Sequence, residues 1–247
     1  KTAQSAPQQQ VPPAPGAAVP DMNRVVNGLT RQVMSPLDGM LTNIKLIKME
    51  ILGGADIKSK AIKEALDVLE ENAFLCQNIL SSMSLIADGS HGNMQPMLIN
   101  MVITKIEPLL GHELKLQNIT IQKVLQDNLP KISGDEWQLT QVVFNIVSNA
   151  IWSIKKNPLV GAGAITITTR ATPQADKVQL LIADNGIGIS DKNISHIFEP
   201  FFTTKTDGLG LGLTVVKNII KGHKGDIQVE SKENKGTTFK ITLPAAP

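Results

Sequence analysis

Four short stretches of the 247-residue chain combine residue types at spacings suited to a phosphorylated, nitrogen-rich ligand. In "QVVFNIVSNAIWSI", Asn145 and Asn149 stand four apart and so share one face of a helix. Two stacked amides offer neutral oxygen to a hard cation and donors to phosphate, which suits Mg²⁺ held mainly by water and a nucleotide; a merely solvated helix face reads the same way. In "LIADNGIGIS" a strand ends at Asp184, followed by Gly186 and Gly188. Glycines there let a ligand approach the backbone, and the carboxylate can accept a hydrogen bond from an amino group such as the exocyclic amine of adenine, although an ordinary turn has the same D-x-G-x-G form. "GLGLGL", Gly208 to Leu213, runs straight into the amphipathic "TVVKNIIKG". Alternate glycines before a helix N-terminus expose successive N–H groups and the positive end of the helix dipole, a cradle for phosphates. The pattern is neither the dinucleotide fingerprint nor a P-loop. Finally, "IFEPFFTTK" places three phenylalanines just before Thr203, Thr204 and Lys205, an aromatic anchor followed by hydroxyls and a charge suited to phosphate, as in a mobile lid.

These residues need elements to hold them. From Met22, apolar residues at 22, 26, 29, 33, 37, 40, 44, 47 and 51 predict a long helix close to a 3.5-residue repeat. "GGAD" at 53–56 breaks it, and Ile62, Leu66, Leu69, Ala73, Cys76, Leu80, Met83 and Ala87 predict a second helix antiparallel to the first. Each would be roughly 45 Å long. A lone hairpin leaves much of its apolar stripe bare, so a four-helix bundle formed by a homodimer is expected, with docking on the rest of the same chain as the alternative. "DGSHGNMQP" at 88–96 reads as a linker. Beyond it come a short strand at Met97 to Ile99, a helix to about Leu110, a strand at Ile119 to Leu125, a turn at "DNLPKISGD" and a helix from about Glu136 to Lys155. Strands "AITITTR" and "KVQLLIADN", a loop-rich stretch 187–208, a helix over about 211–221, and strands "DIQVES" and "TTFKITLP" complete the pattern. The expected fold class is α+β: a disordered Pro/Gln/Ala-rich linker at 1–20, a helical hairpin at 21–88, and an α/β sandwich at 96–247 with helices on one face of its sheet.

In this order, N-x-x-x-N, D-x-G-x-G, F-E-P-F-F-T-T-K, G-x-G-L-G-L and a closing G-T-T-F resemble the ATP-binding domain of sensor histidine kinases, a branch of the Bergerat-type superfamily. The resemblance covers about residues 22–244. It implies that Asn149 ligates Mg²⁺, that Asn145 supports the phosphates, and that Asp184 recognises adenine in a pocket shaped by Gly186, Gly188 and Ile189. It further implies that Thr204, Lys205, Gly208, Gly210, Leu211, Gly212 and Leu213 close over the triphosphate, with Thr237 of the G-T-T-F stretch also at the site. Trp152 stands where many members carry a basic residue, so a phosphate contact is expected to be missing there. The two residues between Lys205 and Gly208 imply a short lid.

In that family the hairpin carries the phosphoacceptor in a pattern like H-E-x-R-x-P-L. In "RQVMSPL", Pro36 and Leu37 set the register and put Arg31 at the histidine position and Gln32 at the acidic one. Arg31 lies two residues from each of Leu29 and Val33, so it is expected to face solvent as an acceptor would. A guanidinium offers phosphorus no lone pair at neutral pH, and an amide cannot act as the base. The four histidines, His91, His112, His196 and His223, all fall outside this helix and read as structural or solvated.

Composition narrows the partners. A net charge of +2 from 24 basic and 22 acidic side chains, with six Phe, two Trp and no Tyr, gives neither a basic stripe nor a stacking surface, and nucleic acid is not expected. The single Cys76 excludes an internal disulfide and fits core packing in a reducing compartment. With no apolar run of the length that spans a bilayer, the segment is cytoplasmic in character, while a start at Lys1 leaves room for an upstream sensory or membrane-anchored portion. The resemblance implies a response regulator or a partner kinase as the binding partner, and ATP and Mg²⁺ as ligands.

Overall fold

A computed structural model describes residues 22–54, 56, 59–88, 92–159, 161–205 and 208–246. The 1–20 stretch, His91 and the lid residues Thr206 and Asp207 lie outside the described residues, as do the side chains of Met22, Val26, Leu29, Met83 and Ala87 on the two apolar ladders.

Helices α1 (Met22–Leu52) and α2 (Lys60–Asp88) pack along one another as a hairpin. Ile62, Ala65 and Cys76 are buried, the Cys76 thiol 4.0 Å from the Val33 carbonyl oxygen. Much of the stripe stays bare: Leu37, Leu41, Ile44, Ile51, Leu66 and Leu80 are exposed. At the same time α2 docks on its own chain. Phe74 lies between Trp137 and Phe144, ring centroids 4.9 and 4.8 Å away, and Glu71 accepts a hydrogen bond from the His112 backbone N–H at 3.0 Å.

Three local expectations are corrected. Strand β1 is Gln95–Met97, two residues earlier than the pattern suggests, because Ile99 is buried as the first residue of helix α3 (Ile99–Thr104). The turn "DNLPKISGD" contains strand β3 (Ile132–Gly134), antiparallel to β1; three residues carry too little alternation to be seen until a partner strand pairs with them. The helix expected to end at Leu110 is a second element, α4 (Ile106–Leu116), split from α3 at Lys105. Pro108 cannot donate to the Thr104 carbonyl, so it is tolerated only in a first turn, where its missing N–H would be unpaired anyway. Past Gly111 the helix persists because Leu114 is buried, and Asn118 then stops it in the left-handed region at φ 51°.

The main sheet has the order β2-β4-β5-β7-β6, formed by β2 (Ile119–Leu125), β4 (Gly163–Ala171), β5 (Lys177–Asp184), β6 (Asp226–Lys232) and β7 (Gly236–Pro244). Only β2 and β4 are parallel. Ile167, Ile182 and Phe239 are register partners across β4, β5 and β7 and are buried together, while Thr166, Thr168 and Lys240 point to the other face. Helices α3, α4, α5 (Glu136–Lys155) and α7 (Gly212–Gly222) cover the buried face; α6 (Asp191–Ile194) is one turn beneath the lid.

His223, at the end of α7, ties the start of α5 in place. Its buried ring accepts the Asp135 backbone N–H at Nε2 (3.0 Å) and donates from Nδ1 to the Ile219 carbonyl (2.8 Å), while Asp135 caps α5 by accepting from Gln138 N–H at 2.9 Å. Burial lowers the His223 pKa below its ordinary 6.5. Between that folded value and 6.5 the unfolded chain binds more protons, so the contribution is present above about pH 6.5 and is lost as pH falls below it. His223→Ala is expected to cost about 1–3 kcal/mol at pH 7.5 and to flatten the loss of stability between pH 6.5 and 5, measured by urea denaturation across that range.

Candidate functional site

Helix α5 builds the site by having two occupied sides. Val142, Val143, Ile146, Val147 and Ile151 are buried in the core, and Asn145, Asn149, Trp152 and Ser153 line a cavity of about 1140 Å³. The other walls are the end of β5 with the loop after it, the Phe-rich lid, the first turn of α7, the β6–β7 turn at Glu233 and Asn234, and the facing sides of α1 and α2. Of the residues singled out in the sequence, Asn145, Asn149, Asp184, Gly188, Ile189, Thr204, Lys205, Gly208, Gly210, Leu211, Gly212, Leu213 and Thr237 all line it. Gly186 does not. It sits behind Asp184, to whose Oδ1 its N–H donates at 2.8 Å.

Asp184 ends the central strand between Ile165 and Thr237. Burial pushes its carboxyl up to about 6, against the pull of the Gly186 and Thr237 backbone N–H groups. The buried Ser153 hydroxyl beside it pulls in the same direction, more weakly. Gly188 and Gly210 both require a left-handed backbone, φ 69°, and a Cβ at either would strike backbone, at Lys232 and Phe201 respectively. Phe201 itself is held at φ 66° with its N–H donating to the Gly210 carbonyl at 3.0 Å, an unusual conformation for a bulky residue that locks the lid anchor to the glycine run.

Also on the cavity wall, Lys205 donates from Nζ to Asn149 Oδ1 at 2.6 Å and lies 5.2 Å over the Trp152 ring. The expectation of a missing basic contact at Trp152 is therefore modified: an ammonium from the lid occupies that spot. Burial lowers the Lys205 pKa to about 8, with the Glu113 charge opposing. Among the described residues no side chain caps the start of α7, which leaves its first N–H groups beside Asn145. Asn145 Nδ2 is buried without a partner, while Asn145 Oδ1 accepts from Asn78 Nδ2 of α2 at 3.3 Å.

The sequence reading overlooked Asn78 and Ser82, which Gln141 Nε2 joins at 2.7 and 3.3 Å in a buried network. Their sole signature is a pair of polar residues four apart on α2. Arg31 and Gln32 line the same cavity from α1; Arg31 is exposed as expected, but at the mouth of the site. None of the three described histidines lines it. His196 pairs with Glu199 at 2.9 Å on the surface.

The residues fit a Mg-nucleotide. Buried Asn145 Nδ2, without a partner among the described residues, calls for an acceptor in the cavity. Among the described residues no cluster of three His, Cys, Asp or Glu side chains suits a metal, so a cation here would rest on Asn149 Oδ1, nucleotide oxygens and water. Among the described residues, no helix is long and apolar enough to cross a membrane.

Residues 134–247 match the family model described as histidine kinase-, DNA gyrase B-, and HSP90-like ATPase. Over 223 residues, 90% of this chain, the sequence is 30% identical to the sensor histidine kinase ZraS of Escherichia coli strain K12, covering 45% of it. It is 32% identical to sporulation kinase E of Bacillus subtilis strain 168 over 88% of this chain and 28% of that one. The chain thus spans less than half of these relatives. The catalytic domain of histidine kinase ThkA is 30% identical with a TM-score of 0.54, over 62% of this chain and 96% of that one. Full-length ShkA in complex with AMPPNP, at 23% identity, shares the fold over 91% of this chain and 46% of that one, with a TM-score of 0.59.

With its pKa raised, Asp184 favours the fold below its ordinary value of 3.8, and this contribution is lost as pH rises through about 6. Asp184→Asn is accordingly expected to stabilise the ligand-free chain by about 2–3 kcal/mol at pH 8 and by about 1 kcal/mol at pH 4.5, read from urea midpoints at the two pH values.

Proposed function

From the premise that the chain belongs to the sensor histidine kinase family, we propose that its cavity binds Mg-ATP and that it is the kinase core of a two-component sensor whose own acceptor position cannot take the phosphoryl group. The observation that carries this reading is the convergence of Asp184, the two asparagines, Lys205 and the uncapped start of α7 on one cavity.

Each residue then has a task. Asp184 accepts a hydrogen bond from the adenine amine, held in aim by the Gly186 N–H. Asn145 Nδ2 and the first N–H groups of α7 donate to phosphate. Lys205 now holds the Asn149 amide oxygen; with a nucleotide present its ammonium would turn to a phosphate oxygen and leave Asn149 to hold Mg²⁺, which would supply charge neutralisation. Phe202, packed against the core, anchors the closing lid.

At the mouth, Arg31 and Gln32 stand where nucleophile and base would, and neither can serve. Kinase action therefore needs an acceptor histidine on a partner, or the chain uses nucleotide as a conformational ligand without phosphotransfer. Hydrolysis of ATP is expected to be slow at best: the positions one and two turns before Asn149 hold the amides Asn145 and Gln141 in place of a water-activating carboxylate, and Gln141 is fully buried and tied to Asn78 and Ser82. The bare apolar residues of the hairpin support a homodimer through α1 and α2, the same bundle offering a surface to a response regulator or a partner kinase.

Two measurements test the reading. Isothermal calorimetry with millimolar Mg-ATP is expected to show binding by the unsubstituted chain and at least a tenfold loss for Asp184→Ala; no heat of association would overturn it. Incubation with γ-labelled ATP is expected to leave the chain unlabelled, while Arg31→His combined with Gln32→Glu yields acid-labile phosphate. Labelling of the unsubstituted chain would show that an acceptor exists after all, and labelling only of an added partner with an intact acceptor helix would establish action in trans.

A further inference from the structure

We propose that Arg31 is a ligand for the terminal phosphate of a nucleoside triphosphate, so that the hairpin completes the nucleotide site and reads whether the third phosphate is present. The inference rests on the cavity being a Mg-ATP site, and extends it to a residue that the loss of the acceptor would otherwise leave without a role.

Arg31 lines the cavity that also holds Asp184 and Lys205. The hairpin meets this cavity at the phosphate end rather than the adenine end, because its Asn78 donates to Asn145, not to any group around Asp184. Its seat is built on buried groups: Phe74 packs against buried Phe144, with the more exposed Trp137 on its other side, and Gln141 holds both Asn78 and Ser82. Helix α1 travels with α2, so the seat fixes the wall of the cavity on which Arg31 stands.

The chemistry at that wall suits a phosphate. A guanidinium is a permanent cation with a planar fork of donors that engages two phosphate oxygens at once. Lys205 is the other cationic side chain lining the cavity among the described residues, against the carboxyl groups of Asp184 and Glu233. A triphosphate stays anionic after one divalent cation binds, and Arg31 supplies charge where no nucleophile now competes for the same space. A diphosphate has one phosphate fewer to reach this wall, so the contact discriminates ATP from ADP.

The test compares Mg-ATP and Mg-ADP by calorimetry on the full chain, unsubstituted and as Arg31→Ala and Arg31→Lys. The unsubstituted chain is expected to prefer ATP. Arg31→Ala should weaken ATP by about tenfold or more, the scale of a charge-assisted hydrogen bond, and ADP by less than about twofold. Arg31→Lys should lose part of the preference, keeping the charge without the fork. Retained ADP binding in each variant reports an intact fold. An unchanged ratio of ATP to ADP affinity, or an equal loss for both, overturns the role of Arg31 while leaving the nucleotide reading in place. Failure of the unsubstituted chain to bind either nucleotide removes both.

Discussion

The structure depends on one helix being buried from both sides. Along α5, valines and isoleucines pack in the core while Phe144, with Trp137 at its start, receives Phe74 of the hairpin. A helix clamped in this way cannot rotate without exposing one apolar face or the other, at about 25 cal/mol per Å². Its polar residues at 145, 149 and 153 are consequently presented to the cavity at a fixed height and angle. Capping by Asp135 and the His223 staple settle the remaining freedom, the position along the helix axis.

Within that frame the site holds charge in places where charge is unfavourable. Asp184 and Lys205 both line the cavity, both desolvated, and their pKa values are displaced toward the neutral form in each case. The two do not neutralise one another. Lys205 rests instead on an amide oxygen and an indole face, and Asp184 on backbone donors. Such an arrangement favours a ligand that brings an amine to Asp184 and negative charge to Lys205, since both displacements are relieved together.

Periodicity carried most of the architecture. The 3.5-residue ladders mark α1 and α2, and alternation marks β4, β5 and β7, because burial on one face acts on many residues in a row. What escaped was decided by single contacts. Strand β3 exists through pairing with β1, and the split at Lys105 follows from one missing N–H at Pro108. At the site, residues next to one another in motifs were legible because the backbone itself brings them together. Asn78 was not: it reaches Asn145 only after α2 has docked, and nothing within either helix specifies that docking. The hairpin was expected either to pair with a second copy or to lie on its own chain; α2 does lie on its own chain, yet leaves Leu41 and Leu80 more than half exposed, so the two are not exclusive.

The placement of the two indoles has an optical consequence. Without tyrosine, near-ultraviolet emission from this chain is dominated by Trp137 and Trp152. Trp152 lies beneath the Lys205 ammonium on the cavity wall, and Trp137 meets Phe74 in a tilted ring contact at the hairpin seat. Occupancy and docking are thereby written into separate chromophores of the same unlabelled molecule.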